Sequence, residues 1–276
     1  VDNLKGIYME IINQKYKSLS RLKNDFFRAS PFPYVVLDDF LDPEYFTVLT
    51  ETLQQNNDTV MGKHFTSDVE LNKSVSLNSR LPDLVSNIVA ELNSQKWVDN
   101  LKELTGIETL VTTQNGNVLL ANYHEMNSGG LLGSHVDHSH EPEAGLPHVL
   151  NIIIYLSSDW RVDFGGSTIF YNPTGDEVKT KVDYMPNRAV IFLHTPYTFH
   201  GVDRLKDNGD IKRKSLYVDY YSESYTPFKH MELPFKSHWF KHGTTFKLPR
   251  FSDYLKWKNR MYTKTYIKYL IVKAVS

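Results

Sequence analysis

The chain has 276 residues, of which 41% are hydrophobic and 13% aromatic, so it can bury a sizeable core and is too apolar for a disordered segment. It contains no cysteine, which excludes disulfides, thiolate metal sites, iron–sulfur clusters and cysteine nucleophiles and leaves nitrogen and oxygen as the only metal donors. The net charge of −1 conceals a split: in residues 228–276 eleven Lys and Arg face only Glu232 and Asp253, a net +9 that leaves −10 on the first 227 residues.

Along the chain, Leu4, Ile7, Tyr8, Ile11, Ile12, Leu19 and Leu22 fall at helical spacing among Lys and Glu, which predicts an amphipathic N-terminal helix within residues 1–32. No uninterrupted apolar leader and no run of about 18 apolar residues is visible, so a soluble, cytoplasmic protein is expected. After the Phe32-Pro33 break, residues 34–37 read as a short strand. Asp42-Pro43-Glu44 supplies a cap, a first-turn proline and an early acid, so a helix is expected from there to about Gln55. Leu84, Val85, Ile88, Val89 and Leu92 mark another helix, and Trp97 to Leu104, closed by Gly106, a further one.

Beyond Gly106 the chain turns to β-branched and aromatic runs. Residues 109–113, 117–125, 132–137, 148–156, 167–171, 188–193 and 214–221 are expected to be strands, with Asn115-Gly116 as a tight hairpin turn. That spacing suggests a double-sheet sandwich or jelly roll, with helices on one outer face. Residues 253–275 read as a basic helix in which Tyr254, Trp257, Met261, Tyr262, Tyr266 and Tyr269 alternate with lysines.

His135-Val136-Asp137 stands at the end of an expected strand, where residues two apart share a face. One imidazole and one carboxylate can then point together into a barrel interior. A histidine from a distant strand would complete a two-histidine, one-carboxylate facial triad suited to a ferrous ion with three open positions. His200 is the natural candidate, because it follows the apolar run 189–193 and precedes Gly201-Val202; His194 is the competing one. Arg213 and Ser215 fall on one strand face and would make a multi-donor site for a carboxylate, with Lys212 or Lys214 as alternatives. His138 and His140 read as solvated loop histidines rather than ligands. Trp160, Tyr155 and Arg161 either border a substrate mouth or, for the two aromatics, pack in the core.

These residues, in this order, resemble the Fe(II)/2-oxoglutarate-dependent dioxygenases, in particular the prolyl-4-hydroxylase-like branch. The resemblance runs over roughly residues 33–221. It rests on Pro33-Tyr34-Val35-Val36-Leu37-Asp38-Asp39-Phe40-Leu41, on Ala121-Asn122-Tyr123, and on the glycine-containing turn Gly129-Gly130-Leu131-Leu132-Gly133-Ser134 before His135-Val136-Asp137. It continues through Asn151-Ile152-Ile153-Ile154-Tyr155-Leu156, Trp160, Gly165-Gly166-Ser167, His200-Gly201-Val202 and Arg213-Lys214-Ser215-Leu216.

The resemblance implies an α+β chain built on a double-stranded β-helix (a cupin-like jelly roll), with N-terminal helices packed on one sheet and a C-terminal helical extension. It implies Fe(II) held by His135, Asp137 and His200, and 2-oxoglutarate paired with Arg213, with Ser215 and Tyr123 as hydroxyl helpers. Dioxygen is the second cosubstrate and ascorbate a candidate reductant. With iron, Asp137, the dianionic cosubstrate and Arg213 the formal charges sum to zero, and a neutral assembly is easier to bury. The carboxylate at Asp137 favours hydroxylation over halogenation. The expected units are residues 1–32 as an N-terminal helix, 33–227 as the dioxygenase domain and 228–276 as a basic aromatic extension.

The substrate is expected to be a small metabolite or a peptide. For the extension, packing on the acidic domain is preferred to self-association into a homo-oligomer, and both to contact with nucleic acid or an anionic membrane. The contrasting reading is a catalytically silent jelly-roll binding module.

Overall fold

Helix boundaries follow their capping residues. Asp42 Oδ1 accepts from the backbone N–H of Glu44 at 3.0 Å, and helix α2 runs Pro43–Gln55. Helix α3 spans Asp83–Leu92. Helix α4, Gln95–Thr105, opens on Ser94, whose hydroxyl accepts from Trp97 N–H at 3.2 Å, and closes on Gly106 in the left-handed region at φ 70°. A computed structural model describes residues 9–55, 63–66, 69–77, 81–112, 121–141, 145–195, 197–207, 209–223 and 238–239. The expected Asn115-Gly116 turn and the basic helix over 253–275 lie outside the described residues.

The N-terminal helix is a correction. Residues 9–22 contain only two 3-10 turns, Gln14–Tyr16 and Ser20–Leu22, before a six-residue helix α1, Lys23–Arg28. The backbone there is committed elsewhere: Asp42 N–H donates to Ile11 O at 3.0 Å and Asn13 N–H to Phe40 O at 2.9 Å, and Ile12 bridges Leu41. Tertiary pairing overrides the helical pattern, while Tyr16 and Leu19 still bury their side chains in the core.

Among the described residues twelve strands form one continuous antiparallel network: β1 Tyr34–Leu37, β2 Lys63–Phe65, β3 Glu70–Leu77, β4 Leu110–Val111, β5 Ala121–Val136, β6 His148–Tyr155, β7 Thr168–Tyr171, β8 Val178–Val182, β9 Ala189–Leu193, β10 His200–Val202, β11 Arg213–Ser222 and β12 His238–Trp239. Their order is β1-β9-β6-β11-β5-β10-β7-β8, with β3 and β12 also on β5. The hinge is β5. The sequence suggests two strands parted by a glycine turn, but a single sixteen-residue strand runs through. Its first half pairs β11 from Ala121 to Met126, and its second half pairs β10 from Leu132 to His135. Gly129, at φ 74°, and the register shift against β3 absorb the bend without breaking the ladder. The result is a double-stranded β-helix.

Alternation along the strands separates two cores. Leu150, Ile152 and Ile154 of β6, Ala189 and Ile191 of β9, and Leu216, Val218 and Tyr220 of β11 pack with the helices. Tyr155, Val190 and Phe192 point the other way, into the barrel. The helix layer is pinned by Trp97, whose Nε1–H donates to Tyr220 OH at 3.0 Å, and by Tyr220 OH donating to Leu92 O at 3.0 Å. Among the described residues no helix is long and apolar enough to cross a membrane.

Asn187 ties the β8–β9 connection to the segment before α2. Its side chain donates to Leu41 O at 2.9 Å and accepts from Leu41 N–H at 2.8 Å, and its own backbone sits at φ 56°. Asn187→Ala removes both buried bonds and leaves their partners unsatisfied in a conformation alanine resists. We expect a loss of about 2–4 kcal/mol in urea unfolding, with Asn187→Gly recovering only the backbone part; an unchanged midpoint for the alanine variant would contradict this reading.

Candidate metal centre

The β5–β10 ladder sets His200 directly opposite His135. Their ring centroids are 4.3 Å apart, and both residues are about 5% exposed. Each ring is turned by a backbone carbonyl: His135 Nδ1 lies 2.9 Å from Gly133 O, and His200 Nδ1 lies 3.1 Å from Thr198 O. A carbonyl can only accept, so in the neutral ring Nδ1 carries the proton and Nε2 is left as a bare donor atom. The two Nε2 atoms face the same carboxylate, His135 to Asp137 Oδ1 and His200 to Asp137 Oδ2, at 3.3 Å each. One ligand atom from each of the three residues lies within 4.8 Å of the others.

Burial by itself pushes the Asp137 carboxyl up, but His200 and His135 outweigh it and hold the group well below the ordinary carboxylate range. Asn151 Nδ2 donates to Asp137 Oδ2 at 3.0 Å and fixes the plane of the carboxylate. Asn151 interrupts the apolar run of β6 and faces the interior, as alternation along that strand requires.

The same cavity, of about 400 Å³, is lined by Arg213 and Ser215. Arg213 is 2% exposed, and its guanidinium carbon lies 4.6 Å from the ring centre of Tyr184 and 5.3 Å from that of Tyr155. Its Nε–H donates to Gly166 O at 2.8 Å and one terminal N–H to Ser215 Oγ at 3.3 Å. Among the described residues no carboxylate pairs with it, and burial pushes its pKa down while the two tyrosines oppose that. Gly166 permits this packing: a Cβ there would stand 3.1 Å from Arg213 Cδ and 3.1 Å from Trp160 Cζ2.

Residues 119–220, which contain all of these groups, match the family model of the 2OG-Fe(II) oxygenase superfamily. This part of the chain is a 2OG-Fe(II) oxygenase domain. Solved structures of the same fold include a Pseudomonas putida prolyl-4-hydroxylase, matched over 75% of this chain and 100% of its own at TM-score 0.53 and 13% identity. Prolyl 4-hydroxylases from Phytophthora capsici match over 97% of this chain and 86% of their own at TM-score 0.53 and 16% identity. The non-heme alpha ketoglutarate dependent epimerase SnoN from nogalamycin biosynthesis matches over 74% and 80% at TM-score 0.54 and 15% identity. At these identities the likeness is one of fold. No curated protein matches the chain at a significant level.

The oxygenase chemistry calls for Fe(II) and 2-oxoglutarate, and two observations fit them. Two bare imidazole Nε2 atoms and a carboxylate converge as a hard-to-borderline divalent ion requires. A buried guanidinium without an acid awaits an anion in the same cavity.

Of the six residues singled out from the sequence, five line this cavity and Tyr123 does not. Tyr123 faces the helix layer, opposite to its neighbour His124, and its hydroxyl donates to Glu125 Oε1 at 3.0 Å. As a hydroxyl helper it is on the wrong face of β5. Lys212 pairs with Glu125 at 3.0 Å and Lys214 donates to Leu53 O at 3.1 Å, so neither competes with Arg213. Trp160 and Tyr155 are core residues; Trp160 Nε1–H donates to Gly165 O at 3.1 Å and steadies the glycine turn under Arg213.

His138 and His140 are not solvated loop residues: His140 is 4% exposed and the His138 side chain 14%, and burial followed by the proximity of His148 pushes each down to about 3. Sequence reasoning missed Asn151 and Thr168, both lining the cavity. Asn151 was detectable as a polar residue set inside the apolar run 149–154 of β6. Thr168, whose hydroxyl lies 2.6 Å from Tyr155 OH, carried no such signal.

Gly201 explains why a glycine follows the distal histidine: a Cβ would meet Leu132 O at 2.5 Å and Gly133 O at 3.0 Å, both backbone atoms of β5. Gly201→Ala must push β10 away from β5. We expect it to cost about 1–3 kcal/mol of stability and to weaken divalent-metal binding at least tenfold, read by isothermal titration; metal affinity equal to wild type would show that the close approach is dispensable.

Proposed function

We propose that His135, Asp137 and His200 hold Fe(II), that Arg213 and Ser215 hold the distal carboxylate of 2-oxoglutarate, and that the domain hydroxylates a C–H bond of a small metabolite or a peptidyl, prolyl-type substrate. The observation that carries the reading is the unpaired guanidinium of Arg213 in the same cavity as the convergent triad. A binding module without catalysis has no use for a buried cation aimed at a second anion, and a guanidinium in that state costs stability unless a ligand compensates it.

Bound iron supplies the activation of dioxygen, coupled to oxidative decarboxylation of 2-oxoglutarate to succinate and CO2. The chain's own groups do the rest. Gly133 O and Thr198 O hold the Nδ1 protons of His135 and His200, keeping both Nε2 atoms available for the metal. Asn151 holds Asp137 Oδ2, so rotation of the carboxylate is restrained before any ion arrives. Arg213 offers a fork of N–H donors and Ser215 a hydroxyl to the cosubstrate, with Tyr155 and Tyr184 stacking the guanidinium in place. Ile153, Phe192 and Val202 give the cavity apolar wall that excludes water from the oxidising centre. The prolyl 4-hydroxylases and the epimerase that share this fold act on different molecules, which supports keeping both substrate classes.

With Fe(II), 2-oxoglutarate and ascorbate as reductant, the protein is expected to release succinate, and His135→Ala, Asp137→Ala and His200→Ala each to lower that release at least a hundredfold. Succinate release that survives in all three folded variants rejects the ligand assignment. Arg213→Met separates binding from folding. A charge-assisted carboxylate contact is worth about 1.5–3 kcal/mol, so the 2-oxoglutarate requirement should rise roughly 10–150-fold. The ligand-free melting temperature should hold or rise, since an uncompensated buried charge has gone; a sharp fall in that temperature would mean the guanidinium is structural.

A further inference from the structure

Asn151 connects the centre to a second group of buried side chains. Its Oδ1 makes a very short contact with Nε2 of His148, which is fully buried. The His148 ring stacks on that of His194 at 4.1 Å and on that of His138 at 4.9 Å. A β-bulge explains how His148 reaches the interior: Tyr220 pairs Leu150 but Tyr221 pairs His148, so one residue of β6 is skipped and its parity changes.

Asp219 of β11 faces these rings. Its side chain is 1% exposed, and among the described residues no donor stands in good hydrogen-bonding geometry to either carboxylate oxygen, the nearby Tyr221 hydroxyl opposing only in part the cost of burial. His148 Nε2 is 3.5 Å from Oδ1 and His138 Nε2 is 3.9 Å from Oδ2. Among the described residues no Lys or Arg forms an ion pair with Asp219. An ionised carboxylate held this way costs several kcal/mol unless a cation compensates it. Burial, and then the charge of Asp137, push its pKa well above the ordinary range.

We propose that His138, His148 and Asp219 form a second divalent-metal site, distinct from His135, Asp137 and His200. One ligand atom from each lies within 4.8 Å of the others. His148 Nδ1 lies 2.9 Å from His138 O, a backbone acceptor like those that turn the rings of His135 and His200, and a metal would take the place of the Nε2 proton that faces Asn151 Oδ1. A tetrahedral ion bonded at about 2.0–2.1 Å separates its ligand atoms by roughly 3.3 Å, so the 3.5 and 3.9 Å spacings close with small side-chain adjustments. Two imidazoles and one carboxylate select a borderline ion of the zinc class over magnesium or calcium, which take oxygen shells. The ion displaces the contact of His148 with Asn151 and that of His138 Nε2 with Tyr221 OH at 2.8 Å. Its occupancy therefore reaches the amide that orients Asp137.

Zinc uptake by the chelator-stripped protein, measured by equilibrium dialysis and elemental analysis, tests this without any turnover assay. Wild type is expected to take up two equivalents and the His135→Ala/Asp137→Ala variant one. Adding Asp219→Asn and His148→Gln to that variant should remove the remaining equivalent, with circular dichroism confirming the fold. No zinc in the folded His135→Ala/Asp137→Ala variant, or an equivalent that persists after Asp219 and His148 are changed, overturns the proposal. Should either variant fail to fold, the wild-type count decides: two equivalents support the second site and one overturns it.

Discussion

The antiparallel pairing of β5 with β10 is the constraint from which the centre follows. It sets two imidazoles face to face on adjacent strands and draws the backbones so close that only glycine fits at position 201. Ring orientation is then settled by main-chain carbonyls, one on β5 and one just before β10, and not by flexible side chains. A site positioned by ladder register and backbone acceptors loses little conformational entropy when it is filled. Asn151, which donates to Asp137 Oδ2, is itself held within the central strand β6.

The interior keeps charges of opposite sign apart along a single strand. Arg213, Ser215, Tyr217 and Asp219 alternate on the barrel face of β11, so a guanidinium and a carboxylate stand six residues apart, roughly 20 Å along a strand. They do not neutralise each other at that separation. Arg213 faces the cavity with Ser215, and Asp219 the packed imidazoles of His138 and His148. Sacrificing a stabilising ion pair in this way creates two places where a ligand gains what folding left unmade.

Much of this was legible in the sequence, and the failures have specific causes. Helices α2 and α4 announced themselves through their end signals and apolar residues, α3 through its apolar stripe alone, and β6, β7, β9 and β11 through apolar runs. His135, Asp137, His200, Arg213 and Ser215 could be assembled because two-residue spacing on a strand has only one geometric meaning. That rule also placed Tyr123 apart from His124, a consequence that motif similarity obscured. Strand β3 was missed although Leu71, Val75 and Leu77 alternate with polar residues in the sequence, because Lys73 interrupts the alternation. Residues 9–22 carried a convincing helical period that pairing with the segment before α2 overruled. The burial of His138 and His140 had no local signal: a polar loop looks solvated until distant strands close over it.

Strand β5 makes length itself a functional property of the chain. It carries Tyr123 and Glu125 toward the helices, His124 and Met126 into the barrel, and His135 at its far end, with the Gly129 irregularity fitting the stretch between them. Inserting or deleting one residue between Glu125 and His135 would present one half of the strand with its faces exchanged, burying what should face the cavity. Substitution can be tolerated along this segment wherever a side chain fits, but changes in residue count cannot, so natural variation of the domain should confine its insertions and deletions to other parts of the chain.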